Sequence, residues 1–480
     1  MSQPLVTTRY GRLRGTGVTS QVSGFFGIPY AAPPVGQLRW SPPAEAEPWL
    51  GVRDAIQFGP DPIQPQGIRL SRAPRMSEDC LYLNVWTPNE RREGGWPVLV
   101  WSCGGAFTTG GGAFVEEDPT RLAARGAVVV SFNVRLNIFG FFAHPSLSAE
   151  SPHGSSGNYG LLDEAAAFAW IRNNIEAFGG DSSNLTFFGE SAGATIATLL
   201  LSSPIVHEPY DRAILMSPGS FSALLPLSEA EQHGAGLGNR ADEMRAIPAE
   251  QLLERAKSLP SVRPSLWLAR PLRPIADGWV IRSTTPLAPG NFRPVPAIVG
   301  TNEDEGRFFG PRMAINSVDD YRNFLGEIFG DRAREAQVRY PVKSDADVAE
   351  MFAAVYSDRG FNYPVDRLLR AFVQSGVDIY RYLYAYRPGS TDRPPTHSEQ
   401  TAVLLGNLRD PTPTDVSMSD IMAGYCLSFA RSGDPNNANL EHWPRYSETT
   451  EGFLKLDFPP SAGSRWRSDY VDFMAKKAAA

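Results

Sequence analysis

The stretch that most constrains this chain is NLTFFGESAGATIATLLL, residues 184–201. An apolar run ends at Gly189-Glu190-Ser191-Ala192-Gly193, and small, helix-compatible residues follow at once. A strand that turns directly into a helix puts Ser191 at the point of a sharp, strained turn. Glycines two residues to either side are expected where a Cβ would strike the neighbouring strand and helix. The turn lifts the hydroxyl off the backbone, beside a helix N-terminus that favours developing negative charge. Ser191 is therefore the candidate nucleophile, and the strand–turn–helix order asks for an α/β fold.

The rest of the chain agrees with that demand. Near-continuous Val/Ile/Phe runs at 97–103, 127–134, 184–189, 212–217 and 295–301 read as buried parallel strands. In residues 159–178, Leu161, Ala165, Phe168 and Ile171 recur at helical spacing. Strands alternating with helices predict a mainly parallel central sheet with helices on both faces. Residues of about 220–290 and 310–375 turn helical and proline-punctuated, most clearly at 318–340. We expect them to be helical insertions at one edge of the sheet, over the site, within a single domain spanning residues 1–480.

Composition narrows the function. The net charge of −7, with 45 scattered Lys and Arg, argues against nucleic acid and anionic membranes as partners. No apolar run approaches the roughly 18 residues of a membrane span, and the start lacks a secretory apolar core. Cys80, Cys103 and Cys426 are too few and too far apart for a disulfide framework or a zinc site. A cytoplasmic protein without a metal is the expectation.

A serine nucleophile needs a base, and the base needs an orienting acid. On such a turn both follow the serine in the chain, acid first. Of six histidines, only His397 and His442 lie far enough downstream. His397 sits in a loop after the strand-like 378–386, whereas no clear strand precedes His442. The acid should follow a strand, and VPAIVGTNEDEG (295–306) ends in Glu303, Asp304 and Glu305. Three neighbouring carboxylates cannot all be buried and ionised. Position alone leaves the choice among them open.

The glycine-rich segment after the 97–103 strand, CGGAFTTGGG, lacks the Gly-Lys-Ser/Thr ending of a phosphate loop. It suits the other half of acyl-transfer machinery, the backbone N–H donors that meet an oxyanion. Gly105 and Ala106, with Ala192 after the serine, are the candidate donors. Phe107, Phe308 and Phe309 are candidates for an apolar substrate pocket, and Cys103 stands at its mouth.

With these groups in view, the chain resembles the type-B carboxylesterases, the family of cholinesterases and bacterial p-nitrobenzyl esterases. GFFGIPYAAPPVGQLRWSPP (24–43), SEDCLYLNVWTP (77–88) and the block from Gly157 to Ala194 carry the resemblance, which covers nearly the whole chain. It implies an α/β-hydrolase fold and hydrolysis of a small-molecule ester through an acyl-enzyme, with no cofactor. It implies Glu305 as the acid, because the family's glutamate precedes the glycine of an Asp-Glu-Gly segment. It implies His397 as the base, nine residues before Gly406-Asn407-Leu408. Glu190 beside the serine and Ser217 take supporting places.

Departures from the family accompany the resemblance. Cys80 resembles half of a lost disulfide, since proline stands where secreted relatives keep the partner cysteine. Gln400 replaces an acid three residues after His397, and Cys103 replaces a ring at the head of the glycine loop. The same triad could serve a carbamate or amide hydrolase. A non-catalytic binding module of this fold would be expected to lack the serine or histidine, and oligomeric state is not legible.

Overall fold

The structure is a computed structural model and describes residues 3–67, 69–219, 224–259, 272–288 and 290–476. Its organising element is an 11-stranded sheet. From one edge the strands run Ser461–Ser464, Gly452–Leu456, Ile379–Tyr384, Ala297–Asn302, Arg212–Met216 and Gly180–Glu190. They continue with Trp96–Ser102, Val128–Phe132, Tyr82–Pro88, Val22–Pro29 and Thr16–Gly17. Pairing is parallel from Gly452–Leu456 through to Val128–Phe132 and antiparallel at both ends.

The parallel strands are apolar on both faces because helices cover both. Val98, Val100, Leu185, Phe187, Ala213 and Leu215 pack to one side with Phe168 and Ile171. Leu99, Trp101, Phe188 and Ile214 pack to the other with Met418, Met422 and Phe429. The expected strands are present with shifted ends. The run read from residue 184 begins at Gly180, where that strand first pairs with Trp96.

The helix expected over 159–178 spans Tyr159–Asn174 and closes in a 3-10 turn, Ile175–Phe178. Its burial extends beyond the apolar stripe, since Asp163 and Glu164 are also enclosed. Asp163 is held by Arg135, whose Nε and Nη2 donate at 2.8 and 2.6 Å. Glu164 accepts from the Ser102 hydroxyl at 3.1 Å, and burial pushes its carboxyl up to about 8.

Residues 318–340 form two helices, Val318–Phe329 and Ala333–Arg339, parted at Gly330, where φ is 53°. The insertion over 310–375 packs on the turn at Glu305: Gly306 N–H donates to Ser357 Oγ at 2.8 Å. Described helices of the other insertion, Leu227–Gly234, Ala241–Arg245 and Ala249–Ala256, pack instead toward Phe142, Ala143 and Leu147. Residues 220–223, 260–271 and 289 of that expected insertion lie outside the described residues.

Candidate active site

Parallel strands expose their carboxyl ends along one edge, where α/β sheets place their ligands. Each candidate group follows such an end. Cys103 to Ala106 follow Ser102, Ser191 follows Glu190, and Ser217 follows Met216. Glu305 lies just beyond Asn302, and His397 lies on the loop after Tyr384. The register pairs Gly189 with Ser102 and Glu190 with Met216, bringing chain-distant residues together.

Ser191 has φ 53° and ψ −117°, a strained conformation for a residue with a side chain. Its N–H donates to Met216 O at 2.9 Å, which ties the turn to the next strand. The flanking glycines are close-approach residues. A Cβ on Gly189 would stand 2.8 Å from Ser102 O, and one on Gly193 would stand 2.4 Å from the same oxygen. Both glycines thus lie against the Ser102 carbonyl of the neighbouring strand, and a Cβ on Gly189 would also meet the Phe187 ring at 2.5 Å. Helix Ala192–Leu200 begins directly after the serine.

Ser191 Oγ lies 2.9 Å from His397 Nε2, and His397 Nδ1 lies 2.6 Å from Glu305 Oε2. The other oxygen of Glu305 accepts from Ser217 Oγ at 2.6 Å and from Asn302 N–H at 2.7 Å. Glu305 is fully enclosed, so these three donors replace its water. The other two acids of the turn face elsewhere: Glu303 reaches Arg387 at 3.4 Å, and Asp304 caps the turn by binding Arg307. The neutral Gln400 accepts from Asn302 Nδ2 at 2.6 Å and braces the same turn.

Glu190 is a second carboxylate at the imidazole, its Oε1 3.1 Å from His397 Nε2. Burial of His397 favours its neutral form, but Glu190 and Glu305 outweigh that and hold it above its ordinary value. Burial likewise raises the Glu190 carboxyl, opposed by His397 and Ser398. Gly104 packs directly on this group, because a Cβ there would come within 2.1 Å of Glu190 Oε2. The glycine loop therefore runs past both Glu190 and Ser191. Ala106 and Phe107 have φ 54° and 64°, so the loop is tightly wound.

Aromatic rings surround the imidazole. Phe308 and Phe309 stand 5.6 and 5.1 Å from it, centroid to centroid. Phe361 is nearer, at 4.7 Å, and the sequence reading missed it. It lies in the π-helical segment Asp358–Asn362 of the 310–375 insertion, far along the chain from any motif. Phe107 packs on Phe141 at 5.5 Å and, with Cys103 and Ala192, lines a cavity of about 20 Å³ behind the loop. His442, the other downstream histidine, is not brought to Ser191; it lies beside Trp443 on a segment that hydrogen-bonds to Tyr425 through Glu441.

Cys103 is in a polar setting. Its sulfur lies 3.2 Å from Arg69 Nη1 and 3.4 Å from Glu117 Oε1. Burial and Glu117 push the thiol well up, and Arg69 offsets only part of this. Cys80 and Cys426 are buried free thiols. Among the described residues no cluster of His, Cys, Asp or Glu could hold a metal ion, and no helix is long and apolar enough to cross a membrane.

Chemically, the arrangement can pass a proton from a serine hydroxyl to an imidazole held by a buried carboxylate. Comparison with known proteins points to the same chemistry. A family model described as "Carboxylesterase family" matches residues 2–474. The chain is 44% identical over 453 residues to fumonisin B1 esterase of Sphingopyxis macrogoltabida, covering 91% of this chain and 83% of that protein. It is 32% identical over 496 residues to para-nitrobenzyl esterase of Bacillus subtilis (strain 168), covering 95% of each. To carboxylesterase 1F of Mus musculus it is 31% identical over 539 residues, covering 100% of this chain and 94% of that one. The chain has the α/β-hydrolase fold and belongs to the carboxylesterase family: it is a serine carboxylesterase, a hydrolase of carboxylic esters.

Proposed function

We propose that Ser191, His397 and Glu305 are the catalytic triad of this esterase, with Gly105, Ala106 and Ala192 supplying the oxyanion N–H groups. The carrying observation is the continuous relay from Ser191 Oγ to His397 Nε2 at 2.9 Å and from His397 Nδ1 to Glu305 at 2.6 Å. His397 Nε2 takes the hydroxyl proton as Ser191 Oγ attacks the ester carbonyl carbon, and the carbonyl electron pair moves to oxygen. Backbone N–H groups stabilise that oxyanion, each worth about 3–4 kcal/mol in the transition state. The C–O bond then breaks, and His397 gives its proton to the departing alkoxide. Water, deprotonated by His397, attacks the acyl-enzyme; the acid leaves and Ser191 Oγ recovers the proton.

Glu305 fixes the tautomer with hydrogen on Nδ1 and stabilises the imidazolium. Phe308, Phe309 and Phe361 keep water from the imidazole and offer an apolar wall to the substrate. The three unpaired cysteines support work in a reducing compartment, the cytoplasm.

The testing experiment is a substrate panel of a p-nitrophenyl ester, the matching anilide and the matching carbamate, on the parent and on Ser191→Ala. We expect turnover of the ester first, and loss of all turnover in the variant. Wild-type rates in Ser191→Ala would end the triad assignment, and a preference for anilide or carbamate would reassign the bond. Fumonisin B1 belongs in the panel because the 44% identical relative is named for it.

A further inference from the structure

Ser398, the residue after His397, has φ 73° and ψ −7°. That left-handed conformation suits glycine and strains a residue with a Cβ. Strain of this kind persists where the surroundings over-determine it, and it gathers at functional sites. Here a hydrogen bond fixes the side chain: Ser398 Oγ donates to Glu190 Oε1 at 2.7 Å. The same carboxylate oxygen lies 3.1 Å from His397 Nε2, and that nitrogen faces Ser191 Oγ at 2.9 Å. Gly104 closes the other side of the carboxylate. Glu190 is thus wedged between the glycine loop and the histidine loop, with Ser398 fastening it to the latter.

We propose that Ser398 is a positioning residue: it holds the Glu190 carboxylate against the serine-facing nitrogen of His397, where it accepts the N–H of the imidazolium. The proposal rests on His397 being the base. In the neutral imidazole Nε2 carries no hydrogen and accepts from Ser191. Once Nε2 has taken the proton, its N–H has two acceptors within reach, the serine oxygen and Glu190. A carboxylate at that point stabilises the imidazolium formed in the transition state.

Glu190, Glu305 and Arg312 act on His397, and His397, Glu305 and Glu117 act on Glu190. Burial and the other two carboxylates drive Glu190 toward its neutral form, while His397 and the Ser398 hydroxyl keep it ionised. Removing the hydroxyl weakens that support. A less ionised Glu190 holds His397 less firmly in its protonated form, so the imidazole stays neutral to lower pH. The acid limb of the rate profile then moves down in pH, and the plateau falls because the imidazolium is less stabilised.

Ser398→Gly separates this role from a structural one, because glycine removes the hydroxyl and relieves the backbone. We expect an unchanged or higher melting temperature, an acid limb of kcat/KM lower by about half to one pH unit, and a plateau about three- to tenfold lower. Ser398→Ala should shift the limb the same way. In a Glu190→Gln background, Ser398→Gly should change kcat/KM by no more than about twofold, because the two residues act as one unit. An unmoved acid limb in Ser398→Gly, or the full shift persisting without Glu190, would overturn the proposal. A parent enzyme flat from pH 5 to 8 would instead remove His397 as base, and this role with it.

Discussion

Two side chains of nucleophilic type, a hydroxyl and a thiol, stand side by side in this molecule. Ser191 and Cys103 follow adjacent parallel strands, with Gly189 in register with Ser102. Thiols are intrinsically the better nucleophiles, yet the surroundings reverse the order. Ser191 faces an imidazole at 2.9 Å, and a carboxylate holds the far nitrogen of that ring. Cys103 faces Arg69 and Glu117, and Glu117 also takes the Trp101 indole N–H at 2.7 Å. The guanidinium that could stabilise a thiolate is already bound to Glu116 and Glu117, and burial keeps the thiol protonated. With Ser191 as the proposed nucleophile, reactivity is set by the partner across the gap, not by the attacking atom.

Substitutions at the two side chains and their partners should differ widely in effect. Ser191→Ala removes the nucleophile and should lower kcat by about 10⁴-fold or more with the circular dichroism spectrum unchanged. Glu305→Gln keeps the shape of the site but loses the charge that selects the tautomer; a fall of about 10³–10⁴ in kcat is expected, read by steady-state kinetics. Smaller is the pH effect. As the proposed base His397 must be neutral to act, and its two carboxylates hold it above the ordinary value. The acid limb of kcat/KM should therefore have a midpoint above about 6.5. A midpoint well below that would mean the carboxylates do not act on the base. Least of all, Cys103→Ser should stay within about threefold of the parent on a small ester, because its thiol serves no step.

The nucleophilic turn was legible in the sequence because its demands are local. Ser102 O crowds both Gly189 and Gly193, and the Phe187 ring crowds Gly189 as well, so the spacing about Ser191 carries the geometry. The acid was less legible. Glu303, Asp304 and Glu305 are alike in a string of letters, and only the short 3-10 turn after Asp304 sends one inward and two toward arginines. The family resemblance chose Glu305, the one of the three that lies 2.6 Å from His397.

Long-range packing explains the remainder. Phe361 reaches the imidazole from a helical insertion, and nothing near it in sequence marks it as part of the site. Ser398 stood beside a recognised histidine, but its backbone angle and its bond to Glu190 exist only in the folded chain. Cys103 read as the replacement for a ring at the pocket mouth, whereas partners 34 and 14 residues away give it a polar cage. Helical periodicity likewise placed Leu161, Phe168 and Ile171 in the core. It gave no sign that Asp163 would follow them in, paired with Arg135 from the loop after Val128–Phe132.

Covalent labelling distinguishes the Ser191 hydroxyl from the Cys103 thiol. The native enzyme is treated with a fluorophosphonate ester in one arm and iodoacetamide in the other, and adducts are located by peptide mass spectrometry against residual activity. If Ser191 is the nucleophile, one phosphonyl group per chain is expected on Ser191, with activity lost in proportion, and full activity after iodoacetamide. Inactivation by iodoacetamide in proportion to labelling of Cys103, with Ser191 unmodified by the phosphonate, would contradict it.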